Sequence, residues 1–397
     1  MPRTLLLTRW APDARFAGGE VQRKLVGHMP VESLRWAYLN PCERPEDISA
    51  RSTRIAFPLK WVHWRLRRTG LQYLWAHVQS AGLARQIAEW GKEFVPQVVW
   101  IASDLEGITV GRLVAKRLGL PIHLTVYDAF EWCRKCGVPS WYTALYYPEL
   151  RRCLREVCTL DAVSQELLEH VCRGYTMPKL RCGMVLRPSL DAAWAAKLPP
   201  LQPDFSPCAP RRIGFCGASR VDDAQWNTFV SRLGRLPWPV ELHVFADPLD
   251  FHNASLPPGV TVRYRKYLAS EQDMIRELRA AALHATYLGL WHDETKRFFV
   301  RTSLSSKLTA YAGIGAPVIA DLPEDSAAWR LLNRYEAGVL LPEAEGDADC
   351  ALRRVLGDKI AWERLADGVA RLRDREYDIN YNVACLQDVL AVCAEKR

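Results

Sequence analysis

One stretch indicates the fold of this chain more clearly than any other: Thr302-Ser-Leu-Ser-Ser-Lys-Leu-Thr-Ala-Tyr-Ala-Gly-Ile-Gly-Ala-Pro-Val-Ile-Ala320. A polar loop opens an alanine-rich helix, predicted over residues 305–312, and Gly313 and Gly315 end it before an apolar strand. Several positive or hydrogen-bonding groups would then converge on one point: loop amides, two hydroxyls, the ammonium of Lys307 and the positive end of a helix dipole. Such a point attracts a phosphate or diphosphate. The residues therefore predict an anion site at a helix N-terminus.

The order of these elements resembles the nucleotide-sugar loop of GT-B glycosyltransferases, where Ser-Lys-Leu-x-x-Tyr precedes Ala/Gly and then Pro-Val-Ile. The matching residues here are Ser306, Lys307, Leu308, Tyr311, Gly315, Pro317, Val318 and Ile319. Retaining members usually carry two glutamates eight positions apart, the second of which binds ribose. The equivalent positions here are Thr302 and Ala310. The resemblance implies a nucleotide-sugar site and leaves the stereochemistry of transfer open.

Length and composition bound the class of protein. A chain of 397 residues is too long for one ordinary core, so we expect two domains, and 49% hydrophobic with 25% charged residues is typical of a soluble globular protein. No run of about 18 apolar residues occurs, so no membrane-spanning helix is expected. The apolar run at the N-terminus is too short for a secretory signal.

The 12 scattered cysteines are typical of reduced thiols in the cytoplasm. Cys133 and Cys136 have CxxC spacing without a second pair, and we interpret them as loop thiols.

Basic residues are concentrated between Arg51 and Lys92, where eight of them face one acidic residue, Glu89, and alternate with tryptophans and leucines. The first interpretation of this pattern is a solvated basic face over a buried aromatic stripe in a cytoplasmic protein. The second is contact with an anionic membrane surface, which would place the protein peripherally on the cytoplasmic face of the membrane. We expect no nucleic-acid partner, because no recognised binding motif accompanies the charge.

Strand and helix patterns alternate along both halves of the chain. Strands are predicted over residues 5–8, 34–39, 98–102, 123–127, 157–163, 212–216, 240–245, 260–264, 285–288, 317–320 and 338–341. Helices are predicted over residues 20–28, 107–118, 164–172, 223–233, 270–282, 305–312, 326–333, 349–356 and 379–394, with Ser164 as an N-cap. Such alternation predicts an α/β protein with parallel sheets covered on both faces.

A proline-rich segment over residues 188–210 divides the two halves and is interpreted as an interdomain connector. Two doubly wound halves around such a connector resemble the GT-B architecture over nearly the whole chain. The resemblance implies two Rossmann-like domains that face a central cleft. We assign residues 1–187 and a crossover helix within 376–397 to the acceptor-side domain, and residues 211–375 to the nucleotide-sugar domain.

Donor-side candidates are grouped by the loops that follow predicted strands. The diphosphate candidates are Gly18, Gly19, Ser219, Arg220, Ser305, Ser306 and Lys307. Glycines let a backbone approach a ligand closely, and ligands of open α/β sheets bind beyond the strand ends. The nucleobase and ribose candidates are Tyr267, Thr302 and Ser303, and His292 is a weaker donor contact. A plain turn at the glycines, or a surface arginine paired with Asp222 or Asp223, is the structural alternative.

Asp128 and Glu131 are the catalytic candidates, because both follow a predicted strand end. A carboxylate there would deprotonate an acceptor hydroxyl, the general-base role that inversion requires, and inverting exopolysaccharide enzymes resemble this arrangement. The alternative is that either carboxylate caps a helix or holds an arginine such as Arg134. The nine histidines form no HxxxH or HxH pattern. We therefore predict no metal and no cofactor. The leaving group of glycosyl transfer is a nucleoside diphosphate, and we expect cationic side chains to stabilise its negative charge.

The resemblance to GT-B glycosyltransferases implies a hexosyl-type glycosyltransferase of polysaccharide biosynthesis. It would move a sugar from a nucleotide-diphosphate donor to a hydroxyl of a glycan or lipid-linked glycan acceptor, without a metal. Two alternatives stay open at this point. One is a sugar-nucleotide epimerase on the same fold, and the other is a non-catalytic GT-B-like binding subunit, which the residues at 302 and 310 favour.

Overall fold

The computed structural model describes residues 1–11, 17–40, 54–57, 71–131, 140–217, 223–246, 256–265, 268 and 270–395. They form two compact units. The first comprises Met1–Arg187 and Ile379–Arg397, and the second comprises Pro188–Asp378.

The strands are β1 (Thr4–Trp10), β2 (Leu34–Asn40), β3 (Arg54–Ala56), β4 (Val98–Ala102), β5 (Ile122–Val126), β6 (Val157–Ala162), β7 (Cys182–Val185), β8 (Arg211–Cys216), β9 (Val240–Phe245), β10 (Val260–Arg265), β11 (Ala285–Gly289), β12 (Val318–Asp321) and β13 (Gly338–Leu340).

The helices are α1 (Ala17–Gly27), α2 (Leu71–Lys92), α3 (Leu105–Leu118), α4 (Ser140–Glu156), α5 (Gln165–Gly174), α6 (Ala192–Ala196), α7 (Asp223–Leu233), α8 (Glu271–Ala280), α9 (Glu294–Thr302), α10 (Lys307–Ile314), α11 (Ala327–Tyr335), α12 (Glu345–Gly357), α13 (Lys359–Glu376) and α14 (Ile379–Ala394).

Each unit contains one parallel sheet. The first sheet has the order β3-β2-β1-β4-β5-β6-β7 and the second has the order β10-β9-β8-β11-β12-β13. In the first sheet, β2 and β3 are added on one side of β1, and β4 to β7 are then added on the other side. In the second sheet, β9 and β10 are added on one side of β8, and β11 to β13 on the other. The pairs β1/β4 and β8/β11 are therefore topological switch points. This architecture confirms the predicted α/β class with two doubly wound parallel sheets.

Central strands form because most of their side chains are apolar on both faces, as a sheet covered on two sides requires. The buried His123 and Thr125 of β5 are exceptions, and both are hydrogen-bonded to Asp161. All five residues of β4 and of β5 are buried, and so are the first five of β1. The predicted N-cap at Ser164 is confirmed, because its side chain accepts a hydrogen bond from the amide of Leu167 at 3.0 Å. The strands β3 and β7 and the helices α4, α6, α9 and α13 were not predicted from the sequence.

The proline-rich segment belongs to the second unit and is packed against it. The amide of Leu190 donates to the carbonyl of Tyr377 at 2.9 Å, and the Asp191 side chain caps α6 by accepting from the amide of Trp194. The segment also wraps the buried guanidinium of Arg211, which donates to the carbonyls of residues 204, 205, 206 and 209. These carbonyls satisfy a charge that would be costly to bury alone.

The last helix, α14, belongs to the first unit. Val383, Leu386 and Leu390 are buried there in a cluster that also includes residues of α1 and β4. Arg181 donates to the carbonyls of Val392 and Glu395 at the end of α14, where a cation complements the helix dipole. Among the described residues, no helix combines the length and apolarity needed to cross a membrane.

The end of α10 is set by Gly315, and this generates a prediction. Gly315 has a φ of 83° and its amide donates to Tyr311, so it is the left-handed C-cap that the sequence indicated, whereas Gly313 lies inside the helix. We expect Gly315→Ala to lower the free energy of unfolding by about 1–2 kcal/mol, because a Cβ is strained in this conformation.

The matched control is Gly346→Ala in α12, where an added Cβ meets nothing within 4 Å. We expect the control to leave stability unchanged or to raise it slightly, since alanine favours a helix. Urea unfolding of both variants measures the difference, and equal stabilities would contradict the account.

Candidate functional site

The anion site predicted at the start of α10 lies at the switch point of the second sheet. α10 runs back from the edge where the parallel strands end, so its N-terminus lies at the same edge as Gly217, which follows β8. Ser306 is the N-cap and makes no side-chain capping bond. The first amides of a helix have no intrahelical acceptor and attract anions.

Tyr311 holds α10 in this place. Its hydroxyl donates to the carbonyl of Tyr287 in β11 at 2.7 Å and accepts from the amide of Cys216 in β8 at 3.4 Å. Tyr311 is fully buried, and so is Leu308. Burial raises the pKa of the Tyr311 phenol well above its ordinary value, so the phenol stays a hydrogen-bond donor. The tyrosine of the motif therefore has a structural role: it joins the helix to the two strands of the switch point.

Lys307 is the cation at this helix start. Its Nζ lies 4.2 Å from the centroid of the Phe215 ring, a cation–π contact that fixes the direction of the side chain. Gly217 has a φ of 79°, and a Cβ at that position would lie 3.4 Å from the Cε of Lys307. The glycine allows the turn after β8 to take a left-handed conformation beside the lysine.

The neighbouring hydroxyl residues differ in their surroundings. Ser306 is exposed and Ser305 is partly buried, whereas Thr302 and Ser303 are each only 5% exposed. The hydroxyl of Thr302 donates to the carbonyl of Phe298 at 3.0 Å within its own helix. Ala310 is buried in the hydrophobic core. The two positions that carry glutamates in retaining GT-B enzymes are thus interior positions here, without a carboxylate.

A pair that the sequence did not reveal lies at the same sheet edge. His292 follows β11, and its Nε2 lies 3.2 Å from Oδ1 of Asp321, the last residue of β12. The other carboxylate oxygen accepts from the hydroxyl of Tyr287 at 2.7 Å. Asp321 therefore orients His292 toward the end of the sheet. In the sequence, the one signal for this pair is the position of Asp321 at the end of an apolar strand.

The first unit places its candidates at the equivalent edge. Gly18 and Gly19 were predicted in a loop, but they lie in the first turn of α1, which begins at Ala17. One turn later, Gln22 donates to the hydroxyl of Tyr127, which follows β5. Asp128 is the next residue and is exposed. The contact between Gln22 and Tyr127 joins the beginning of α1 to the segment that carries Asp128.

Glu131 has a different environment from Asp128. Both of its carboxylate oxygens lie 3.3 Å from Nε2 of His170, and Oε1 accepts from the hydroxyl of Tyr175 at 3.1 Å. This carboxylate therefore binds His170 of α5 and Tyr175, the residue that follows α5. Neither contact is the helix cap or the arginine pair that the sequence offered as the alternative.

Three further charged residues lie at the β1/β4 switch point and were not singled out from the sequence. Arg9 of β1 pairs with Asp104 at 3.1 Å and lies 3.4 Å from Glu106. Glu106 is 1% exposed, and burial raises its pKa above the ordinary value although Arg9 opposes the shift. Two acidic residues directly after the apolar strand β4 were the available signal.

Several predicted residues lie outside the described part of the chain. They are Ser219, Arg220, Tyr267, Cys133, Cys136, Arg134 and the basic residues at positions 51, 60, 65, 67 and 68.

An Asp-x-Asp triplet can supply carboxylates to a metal ion. One Asp-x-Asp triplet, Asp347-Ala-Asp349, occurs in α12, where Asp349 pairs with Arg235 at 3.2 Å. Among the described residues, no group of three His, Cys, Asp or Glu side chains is placed to hold a metal ion. Metal independence stays a prediction.

Comparison with known proteins gives a consistent result for the fold. No protein-family profile matches the chain, and no curated protein sequence is significantly similar to it. Solved structures do match. Anabaena HepE, solved in complex with UDP and glucose, has a TM-score of 0.64 at 11% identity over 98% of this chain and 99% of its own.

Sucrose-phosphate synthase from Thermosynechococcus elongatus has a TM-score of 0.65 at 10% identity, with 98% of each chain covered. The lipopolysaccharide outer core galactosyltransferase WaaB has a TM-score of 0.64 at 11% identity, over 98% of this chain and 99% of its own. These neighbours are GT-B glycosyltransferases. The chain therefore has the GT-B fold, built from two Rossmann-like domains with parallel sheets, and the resemblance seen in the sequence is confirmed at that level.

The role of Tyr311 generates a prediction. Tyr311→Phe removes the hydroxyl that joins α10 to β8 and β11 and leaves buried backbone groups without this partner. We expect a loss of about 1–3 kcal/mol in the free energy of unfolding, the cost of an unsatisfied buried polar group.

Urea unfolding measures that loss. Tyr381→Phe is the control, because Tyr381 is an exposed residue of the first unit. Unchanged stability in Tyr311→Phe would show that the hydroxyl does not hold the helix.

Proposed function

We propose that this protein is a glycosyltransferase that moves a hexosyl group from a nucleotide-diphosphate sugar to a hydroxyl of a glycan or lipid-linked glycan. The observation that carries the proposal is the position of Lys307. It begins a buried helix at the topological switch point of the second sheet and lies beside the left-handed Gly217. Ligands of open parallel sheets bind at such points, and a helix start with a cation favours phosphate groups.

The proposed chemistry follows from the leaving group. Departure of a nucleoside diphosphate develops negative charge on its phosphate oxygens. Lys307 and the amides at the start of α10 would stabilise that charge without reorganising, because tertiary packing already fixes them. The amides of Ser305 and Ser306 donate to no carbonyl of a described residue. The proposed mechanism therefore needs no metal and no cofactor.

The remaining donor contacts are proposed from the sequence. Ser219 and Arg220 directly follow Gly217, and Arg220 would bind the diphosphate in a bidentate manner. Tyr267 would stack on the base. HepE has been solved with UDP-glucose, and an α-glucosyltransferase of similar fold has been solved with UDP-glucose and DNA. These neighbours support a uridine diphosphate sugar as the first donor to test.

Asp128 is the proposed general base. It is exposed and lies two residues beyond β5. An exposed carboxylate at a strand end can accept a proton from an acceptor hydroxyl. Asp128→Asn should therefore abolish transfer and leave donor binding intact. The presence of this base and the missing glutamate pair favour inversion.

A peripheral association with an anionic membrane is part of the proposal. The structure describes residues 54–57 and α2 of the basic segment, and the first half of α2 exposes Leu74, Trp75 and Val78. Exposed apolar and tryptophan side chains beside basic residues are typical of surfaces that lie at a lipid interface. The acceptor would then be presented on a lipid.

The donor site is tested by thermal stability against UDP, GDP, CMP and their sugar conjugates. A ligand at about 100 times its dissociation constant adds roughly 2.7 kcal/mol of stability. We expect one nucleotide to stabilise the wild type and to lose this effect in Lys307→Ala. The control is Lys359→Ala, because Lys359 is also the first residue of a helix in the second unit and is 68% exposed.

The outcomes separate the candidate functions. Retained stabilisation in Lys307→Ala would move the diphosphate site elsewhere. No stabilisation by any nucleotide would favour the non-catalytic binding subunit, which the alanine at position 310 also permits. An isomerised sugar after incubation with donor alone would identify an epimerase.

The membrane proposal is tested by sedimentation with vesicles that contain phosphatidylglycerol. We expect the double variant Trp75→Ser/Val78→Ser to bind several-fold less than the wild type, because it removes apolar surface from the interface. Ile360→Ser is the control, since Ile360 is 80% exposed on the second unit. Equal binding by all three proteins would refute membrane contact through α2.

A further inference from the structure

A cavity of about 750 Å³ lies within the first unit, and none of the residues assigned to the donor lines it. The described residues that line it come from α4, from the end of α5 and from the turn after β5. Those with polar side chains are Glu131, Ser140, Thr143, Tyr147, Arg151 and Tyr175. Its volume falls within the roughly 300–1,000 Å³ of sites that bind small molecules.

Glu131 supplies a fixed acceptor to this cavity. The hydroxyl of Tyr175 and Nε2 of His170 hold its carboxylate, and the side chain of Glu131 remains 37% exposed. Burial, followed by the negative charge of Glu131, raises the pKa of Tyr175 far above its ordinary value, so the phenol stays protonated and keeps donating. A carboxylate has about four lone-pair sites, so it can accept further hydrogen bonds from a ligand.

The hydroxyls in the wall also present acceptors. Thr143 donates to the carbonyl of Ser140 at 2.7 Å, and Tyr147 donates to the carbonyl of Phe130 at 3.4 Å. Their protons are engaged in these bonds, whereas their oxygens can still accept. Donors come from Arg151, whose guanidinium forms no hydrogen bond or ion pair with any residue that the structure describes.

The charges in the wall select the chemical class of ligand. The carboxylate of Glu131 disfavours a phosphate or another anion, and the guanidinium of Arg151 disfavours a metal ion. A neutral molecule with many hydroxyls satisfies both groups, because each hydroxyl donates and accepts. The phenol rings of Tyr147 and Tyr175 add apolar surface for the carbon face of such a molecule.

We propose that this cavity is a subsite for one or more neutral sugar units of the acceptor glycan. The inference rests on the proposed function, since it identifies the acceptor class of the same enzyme. Glu131 is then a residue that binds and selects the acceptor, and Asp128 remains the proposed base. The subsite would determine which glycan is extended.

The experiment applies the full chain to a microarray of neutral oligosaccharides built from glucose, galactose, mannose and N-acetylglucosamine, with uronic-acid and phosphorylated glycans beside them. We expect selective binding of neutral glycans. Glu131→Gln and Arg151→Ala should each weaken that binding by tenfold or more, because each removes one polar wall of the cavity.

Arg152→Ala is the matched control. Arg152 is adjacent in sequence, is 59% exposed and does not line the cavity. Its binding should stay within twofold of the wild type. Circular dichroism of all variants, and nucleotide binding by each, verify that the chain is folded.

Two outcomes would overturn the inference. One is that no neutral glycan binds. The other is that binding occurs but is equal in Arg151→Ala and Arg152→Ala, or prefers the anionic glycans. Failure of the proposed function gives a different result. In that case Lys307→Ala binds nucleotide as well as the wild type does, and the binding of neutral glycans by the wild type is still observed.

Discussion

The second unit depends on one hydrogen-bonded group, the phenol of Tyr311. This phenol belongs to α10 and joins the backbones of β8 and β11. These are the two strands of the switch point, where the order in which the chain adds strands to the sheet reverses. A helix that is fixed at this point must begin at the edge where the strands end. Lys307 is the first residue of that helix, so the cation reaches the switch point as a consequence of packing. Burial of apolar side chains stabilises the packing of α10, and the hydrogen bonds of the phenol fix where the helix lies on the sheet.

The two units carry different chemistry at comparable positions. The second presents a lysine, hydroxyls and a helix start at its switch point. The first presents carboxylates, with Asp128 beyond β5 and Asp104 and Glu106 beyond β4. An electropositive site is suited to a diphosphate, and a site with carboxylates is suited to hydroxyl groups that lose or share a proton. This difference agrees with a donor on one unit and an acceptor on the other.

Much of the fold could be predicted from local sequence. The end of α10 and the start of β12 follow from Gly315 and Pro317, and Ser164 indicated its own helix, because capping and turn chemistry act over a few residues. The pairs His292 with Asp321 and Glu131 with His170 could not be predicted in this way. Their members are 29 and 39 residues apart, and only the order of the strands brings them together. Burial likewise decides that Thr302 and Ala310 are interior positions, and a single sequence does not show burial.

The central claim is that the start of α10 binds the diphosphate of a nucleotide. Isothermal titration of the diphosphate, monophosphate and nucleoside forms of uridine and guanosine tests it most directly. For one of the two bases, the account predicts that the diphosphate binds about tenfold or more tightly than the monophosphate, because each phosphate adds charge-assisted hydrogen bonds. The nucleoside should bind weakest, and added salt should reduce the difference. Equal affinities for nucleoside and diphosphate, or no binding of any form, would contradict the claim.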